Sequence, residues 1–220
     1  MKKTVVMLLV FVLLFSLTAC SRGEDTGENT KPSDIGQISG TDVPASQPGD
    51  QISEEDETIE NNGLVIYFSC TGNTEAVANM IAEKTGAAMY EIIPEQLYSE
   101  EDIDYQNDEC RANQEMKDDT ARPAISGDRK DLTEYDTLYV GYPIWWGTMP
   151  KIMNTFFDTY DLSGKTILPF CTSGGSGISE SVAAVREAEP DAEIKEGLQI
   201  RSSDADDCAE AVTGWLEDNK

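Results

Sequence analysis

Gly63-Leu-Val-Ile-Tyr-Phe-Ser-Cys-Thr-Gly-Asn-Thr74 is the stretch that decides the fold. Its first half is an apolar run with no alternation of polar and apolar positions. A strand of that kind is buried on both faces, as in a parallel sheet covered by helices. Hydroxyls and a glycine follow, and then Val77, Met80, Ile81 and Lys84 recur at helical spacing until Gly86 stops them. Outward from this strand–loop–helix unit the alternation repeats. Ala88 to Ile93 and Thr137 to Gly141 read as strands, separated by a long acidic segment with a helix near Asp108–Lys117. Lys151–Tyr160 reads as helix, Thr166–Cys171 as strand, Ile178–Glu189 as helix, Glu193–Ile200 as a weaker strand and Asp204–Glu217 as a last helix. Strands alternating with helices give an α/β class, a doubly wound parallel sheet with helices on both faces. No internal repeat is visible.

Three polar loops follow strands, and ligands of doubly wound sheets bind beyond the carboxyl ends of strands. The first is Ser69-Cys70-Thr71-Gly72-Asn73-Thr74. Its hydroxyls, its glycine and the N–H groups of a helix start suit a phosphate; the plainer alternative is a tight turn with Thr74 as helix N-cap. A nucleotide P-loop would need a lysine here, a cysteine phosphatase an arginine where Ala76 and Val77 stand, and a dinucleotide fingerprint two more glycines. What survives is a phosphomonoester held by hydroxyls and backbone amides without a cation. The second loop, Tyr142-Pro143-Ile144-Trp145-Trp146-Gly147-Thr148-Met149-Pro150, sets two tryptophans side by side. Aromatic residues are more often core than cofactor contacts, yet adjacent tryptophans between Pro and Gly cannot both point inward, so one is expected at the surface. The third loop, Thr172-Ser173-Gly174-Gly175-Ser176-Gly177, can aim backbone groups at a ligand edge or be a plain turn. It is no serine-hydrolase elbow, because the chain has no histidine.

Taken in order, these loops resemble those of the flavodoxin family over nearly all of Gly63–Lys220. Pro169 departs from the pattern of a central strand, lacking a ladder donor, and is read as a strand-end irregularity. The resemblance implies a flavodoxin-like five-stranded parallel sheet of order 2-1-3-4-5 and one non-covalent FMN. It assigns Ser69, Cys70, Thr71, Gly72, Asn73 and Thr74 to the phosphate, Cys70 standing where a hydroxyl or another small residue is common. It assigns Pro143, Ile144, Trp145, Trp146 and Gly147 to the flavin ring, and Thr172, Ser173, Gly174, Gly175 and Gly177 to the pyrimidine edge. A backbone group near Gly147 would hydrogen-bond flavin N5, and one of the tryptophans would screen the ring. The implied function is electron transfer to a redox partner protein or a small acceptor. A flavin-dependent NAD(P)H:quinone-type reductase and a non-catalytic surface module with a decayed flavin site stand as alternatives. No residue is expected to act as a catalyst in its own right, and no metal is expected.

The 220 residues carry 42 acidic and 16 basic side chains, a formal charge of −26, which argues against nucleic acid as partner. The absence of histidine removes Ser-His-Asp and Cys-His catalysis and imidazole metal sites. Lys2 and Lys3 precede an apolar run from Val5 to Phe15, shorter than the roughly 20 residues of a membrane span and suited to a signal peptide over residues 1–19. Leu17-Thr18-Ala19-Cys20 resembles a bacterial lipobox, so Cys20 is the expected lipidation site of an extracytoplasmic, membrane-anchored protein; the alternative is an ordinary cleaved signal with an incidental cysteine. From Ser21 to Asn62 there are 11 acidic and 2 basic residues and no aromatics, so residues 20–62 read as a disordered acidic tether. As a flexible coil it would hold the domain about 35 Å from the membrane. Residues 63–220 hold 31 acidic and 12 basic side chains, and so carry −19 of the charge.

Four cysteines remain beyond Cys20, and no disulfide is expected among them. In the implied strand order Cys70 and Cys171 end strands two lanes apart, roughly 9–10 Å, beyond the ~7 Å that a bridge spans. Right-handed crossovers set Cys110 and Cys208 on opposite faces of the sheet.

Overall fold

A computed structural model describes residues 62–220. The expected signal peptide at 1–19, the lipidated Cys20 and the tether at 20–62, save its last residue, lie outside the described residues. The order of elements is β1 (Gly63–Tyr67), α1 (Asn73–Thr85), β2 (Ala88–Glu91), α2 (Arg111–Lys117), β3 (Thr137–Pro143), α3 (Lys151–Thr159), β4 (Thr166–Ser173), α4 (Ser179–Ala188), β5 (Glu193–Ile194), β6 (Leu198–Arg201) and α5 (Ala209–Asp218). All pairings between these strands are parallel, in the order β2-β1-β3-β4-β5, with β6 also on β4. This is the expected five-lane arrangement.

The fifth lane is filled twice, by β5 beside Thr166–Ile167 and by β6 beside Phe170–Ser173. Two residues account for the break. The Lys195 N–H donates to the Ile167 carbonyl at 2.9 Å, so the odd-numbered backbone groups of β4 face that lane. Pro169 has no N–H to offer there. It lies in mid-strand, in register with Val140, rather than at a strand end as expected. At Gly197 a Cβ would lie 2.7 Å from Ile178 Cδ1 and 2.9 Å from Val182 Cγ2, so the chain bends past the start of α4. Two other boundaries move for local reasons. α2 starts at Arg111, because the Cys110 sulfur accepts the Asn113 N–H and caps the helix. Ser202–Asp207 forms a tighter 3-10 turn before α5.

Alternate residues of the buried strands feed two cores. Leu64, Ile66, Leu138, Val140 and Ile167 pack against α3 and α4 through Met153, Phe156 and Val185. Val65, Tyr67, Tyr139, Leu168 and Phe170 pack against α1 and α5 through Val77, Ile81, Val212 and Trp215. Cys171 lies in the first core and Cys208 in the second, with the sheet between them, and Cys70, Cys110, Cys171 and Cys208 are all free thiols. Among the described residues no helix is long and apolar enough to cross a membrane, and no group of three or more acidic or cysteine side chains could hold a metal ion.

Candidate functional site

The three loops leave the carboxyl ends of β1, β3 and β4, which are neighbours in the sheet. Thr172 joins them. Its hydroxyl shares a 2.8 Å hydrogen bond with that of Thr74 in loop one, and its carbonyl accepts the Ile144 N–H of loop two at 2.8 Å. Thr74 and Thr172 are 1% and 2% exposed. The alternative reading of Thr74 as an N-cap therefore fails: Gly72 takes that place, and no side chain caps the helix.

Loop one is shaped by its own side chains. The Gly72 N–H donates to Ser69 Oγ at 3.1 Å, and Asn73 Nδ2 donates to Thr71 Oγ1 at 3.1 Å. Gly72 is left-handed, with φ 83°, as the turn into α1 requires. The first turn of α1 thus opens into the loop without a capping side chain, an arrangement that suits an anion, although Glu75 in that turn opposes one.

Loop two contains a tight hairpin. Trp145 N–H donates to the Thr148 carbonyl at 2.8 Å, and Thr148 N–H returns to the Trp145 carbonyl at 3.0 Å. The two central residues, Trp146 at φ 48° and Gly147 at φ 83°, are both left-handed, as in a type I′ turn. Holding a tryptophan there costs about 1–2 kcal/mol, the kind of local strain that concentrates at functional sites. Trp145 packs edge-on against Phe68 at 5.8 Å and Tyr98 at 5.3 Å, while Trp146 is 50% exposed. The tryptophans separate as expected. Glu180 Oε2 lies 3.1 Å from where a Gly147 Cβ would stand.

Loop three curls on itself. Ser173 Oγ donates to the Ser176 carbonyl at 2.7 Å and accepts the Gly175 N–H at 3.2 Å and Gln199 Nε2 at 3.3 Å. Ser173 is buried beneath the turn, and Gly174, Gly175 and Gly177 are exposed above it.

The reading of the sequence missed one part of the site. The β2–β3 connection folds back so that Tyr98 packs edge-on against Phe68 and Trp145. The Tyr98 hydroxyl donates to Glu115, Arg111 Nε donates to the same carboxylate at 2.7 Å, and the guanidinium sits 4.0 Å above the Tyr98 ring. Beside this brace a cavity of about 300 Å³ opens, lined by Ile103, Tyr105, Ala112, Ile144, Trp145 and Trp146. Two tyrosines in an acidic stretch were the only sign of it. Burial pushes the Cys70 thiol up to about 12, the nearby Arg111 charge offsetting part of the effect, so Cys70 stays a protonated thiol at neutral pH and is no nucleophile.

The sequence profile of flavodoxins matches residues 62–219. The chain belongs to the flavodoxin family. Among solved structures, it resembles a protein of Bacteroides eggerthii classed as a flavoprotein, at 39% identity and a TM-score of 0.65, over 70% of this chain and 95% of that one. It shares its fold with a flavoprotein of Lactobacillus acidophilus solved in complex with FMN, at 22% identity and a TM-score of 0.53, over 70% of this chain and 97% of that one. A curated relative, an NAD(P)H dehydrogenase (quinone) of Chromohalobacter salexigens, is 35% identical over 96 residues, which are 43% of this chain and 45% of that protein. The chain therefore spans less than half the length of that relative.

Proposed function

We propose that this flavodoxin-family protein binds one FMN across the ends of β1, β3 and β4 and serves as an electron carrier outside the cytoplasmic membrane, anchored through Cys20. The observation that carries the reading is the joining of the three loops through Thr172, which holds a phosphate cradle, an aromatic turn and a glycine-rich turn in one unit. The residues present fit the cofactor. Loop one offers backbone amides and the Ser69 and Thr71 hydroxyls without a cation, as a phosphomonoester can use. Loop two offers the Gly147 backbone and the exposed Trp146 ring to a planar group. Loop three offers exposed backbone to a polar edge.

FMN supplies one- and two-electron redox chemistry when bound. The chain's part is to position and to bias. Trp145, wedged between Phe68 and Tyr98, fixes the base of the aromatic turn. The domain's 31 acidic against 12 basic side chains oppose any added negative charge at the site.

Titration of the purified Ser21–Lys220 protein with FMN, followed by quenching of flavin fluorescence, tests the cofactor. Gly72→Val is expected to raise the dissociation constant at least tenfold, since a β-branched residue resists φ 83°; equal affinity would refute the phosphate assignment. Reduction by light under anaerobic conditions without NAD(P)H, and no NAD(P)H oxidation by the isolated protein, separates a carrier from a reductase. Membrane fractionation of Cys20→Ala tests the anchor, with release or stalled processing as the expected result.

A further inference from the structure

We propose that a groove at the amino end of the sheet, on the face covered by α1 and α5, is the docking site for the chain's own acidic segment Glu55-Asp-Glu-Thr-Ile-Glu60, just ahead of β1. The docking stands apart from the FMN reading. Only its consequence for access to the flavin rests on that reading.

The groove has a volume of about 660 Å³. Thr137 and Thr166, the first residues of β3 and β4, line it, so it lies at the opposite end of these strands from the three loops. Tyr139 and Leu168 lie further in, and both belong to the core beneath α1 and α5. The two helices end beside it, α1 contributing Lys84 and α5 contributing the half-buried Leu216.

Place, charge and pattern choose the occupant. The Asn62 carbonyl accepts the N–H of Asp136 at 3.1 Å and that of Thr137 at 3.4 Å, and Gly63 is in register with Thr137. The chain therefore enters β1 against the wall of the groove. β4 lies two lanes from β1, roughly 10 Å away, and the four residues from Gly63 back to Ile59 span up to about 13 Å. Asn61 and Asn62 suit the reversal that this path needs, since asparagine tolerates turn conformations.

The segment carries Glu55, Asp56, Glu57 and Glu60 and no basic residue. A domain with 31 acidic and 12 basic side chains repels it from most of its surface. In the groove Lys84 and Lys220 face a single carboxylate, that of Glu217, and neither lysine makes an ion pair with a described residue. Ile59 is the one apolar residue of the segment, with Glu57 and Glu60 on either side. An aliphatic side chain between carboxylates matches a groove that offers Leu168 and Leu216 inside and a lysine from each helix end. Docked there, the segment makes the tether leave from the pole opposite the three loops. A redox partner then reaches the flavin from the side away from the tether.

Amide hydrogen exchange in the Ser21–Lys220 protein, read residue by residue by NMR with and without FMN, tests the docking. The Ile59 and Glu60 amides are expected to exchange at least about tenfold more slowly than in an unstructured chain. Lys84→Glu/Lys220→Glu, at two exposed positions, is expected to remove most of that protection, and the addition of Glu57→Lys/Glu60→Lys to restore it. A nuclear Overhauser effect between the Ile59 methyl groups and those of Leu168 or Leu216 reads the contact in the unaltered protein, without a variant. Exchange at the free-chain rate, absence of that Overhauser effect, or protection unmoved by reversal of both lysines overturns the proposal. Protection that grows with protein concentration alongside a dimer in sedimentation overturns it too, because a second copy then covers the groove. If the protein takes up no FMN and the amides are still protected, the cofactor reading falls and the docking stands.

Discussion

The hydroxyl pair Thr74–Thr172 offers the sharpest test of how the site is held together. Both side chains are within 2% of full burial, and their oxygens are 2.8 Å apart. Thr172→Val keeps the shape and removes one hydroxyl, leaving that of Thr74 without this partner. A buried polar group left unpaired costs about 1–3 kcal/mol, whereas replacing both partners by apolar groups of the same shape can be nearly neutral. Thr172→Val alone is therefore expected to destabilise the FMN-free protein by about 1–3 kcal/mol in urea denaturation, and the double variant Thr74→Val/Thr172→Val to regain most of the loss. If the loops give way before the rest of the fold, the same free energy is taken from FMN binding, a rise in dissociation constant of about 5- to 150-fold. The double variant then separates two roles. Recovery of FMN affinity along with stability marks the pair as positioning residues, and stability without affinity marks the hydroxyls as FMN contacts. A double-mutant cycle with coupling below about 0.5 kcal/mol, the scatter of independent sites, would refute the bridge.

Two further outcomes follow from packing and burial. Gly141 lies opposite Phe170, and a Cβ there would stand 2.0 Å from the Phe170 ring, so Gly141→Ala should cost about 1–3 kcal/mol by overpacking; urea denaturation checks this, and Phe170→Leu in the same chain should restore part of the loss. Burial, reinforced by the negative charges of Asp161 and Asp158, pushes the Glu189 carboxyl up to about 7. Because the folded state holds that proton more tightly than the unfolded chain, Glu189 makes stability fall as pH rises from the usual carboxylate range through about 7, and not above it. Thermal unfolding across that range should show wild type losing stability relative to Glu189→Gln, and parallel curves would refute the assignment.

Much of the fold is legible in the sequence because its signals are local. An unbroken apolar strand such as Leu64–Phe68 can be buried on both faces only in a covered sheet, and Gly86 stops the helix that Val77, Met80 and Ile81 mark by their spacing. The three loops were found for the same reason, since each is a contiguous run placed after a strand. The pairing of Thr74 with Thr172 was not legible, because 98 residues separate them and a buried threonine looks like any other in a polar loop. Tyr98, Arg111 and Glu115 were equally hidden, their contact with loop two depending on how a long connection folds back. Pro169 shows the difference at one residue. Its missing N–H is evident from its name, but whether that gap falls on a strand end or on the outer side of β4 depends on which lane lies beside it. Short-range chemistry is written in the order of residues, and the partners that a buried hydroxyl, ring or vacant donor meets are settled only when the sheet brings distant segments together.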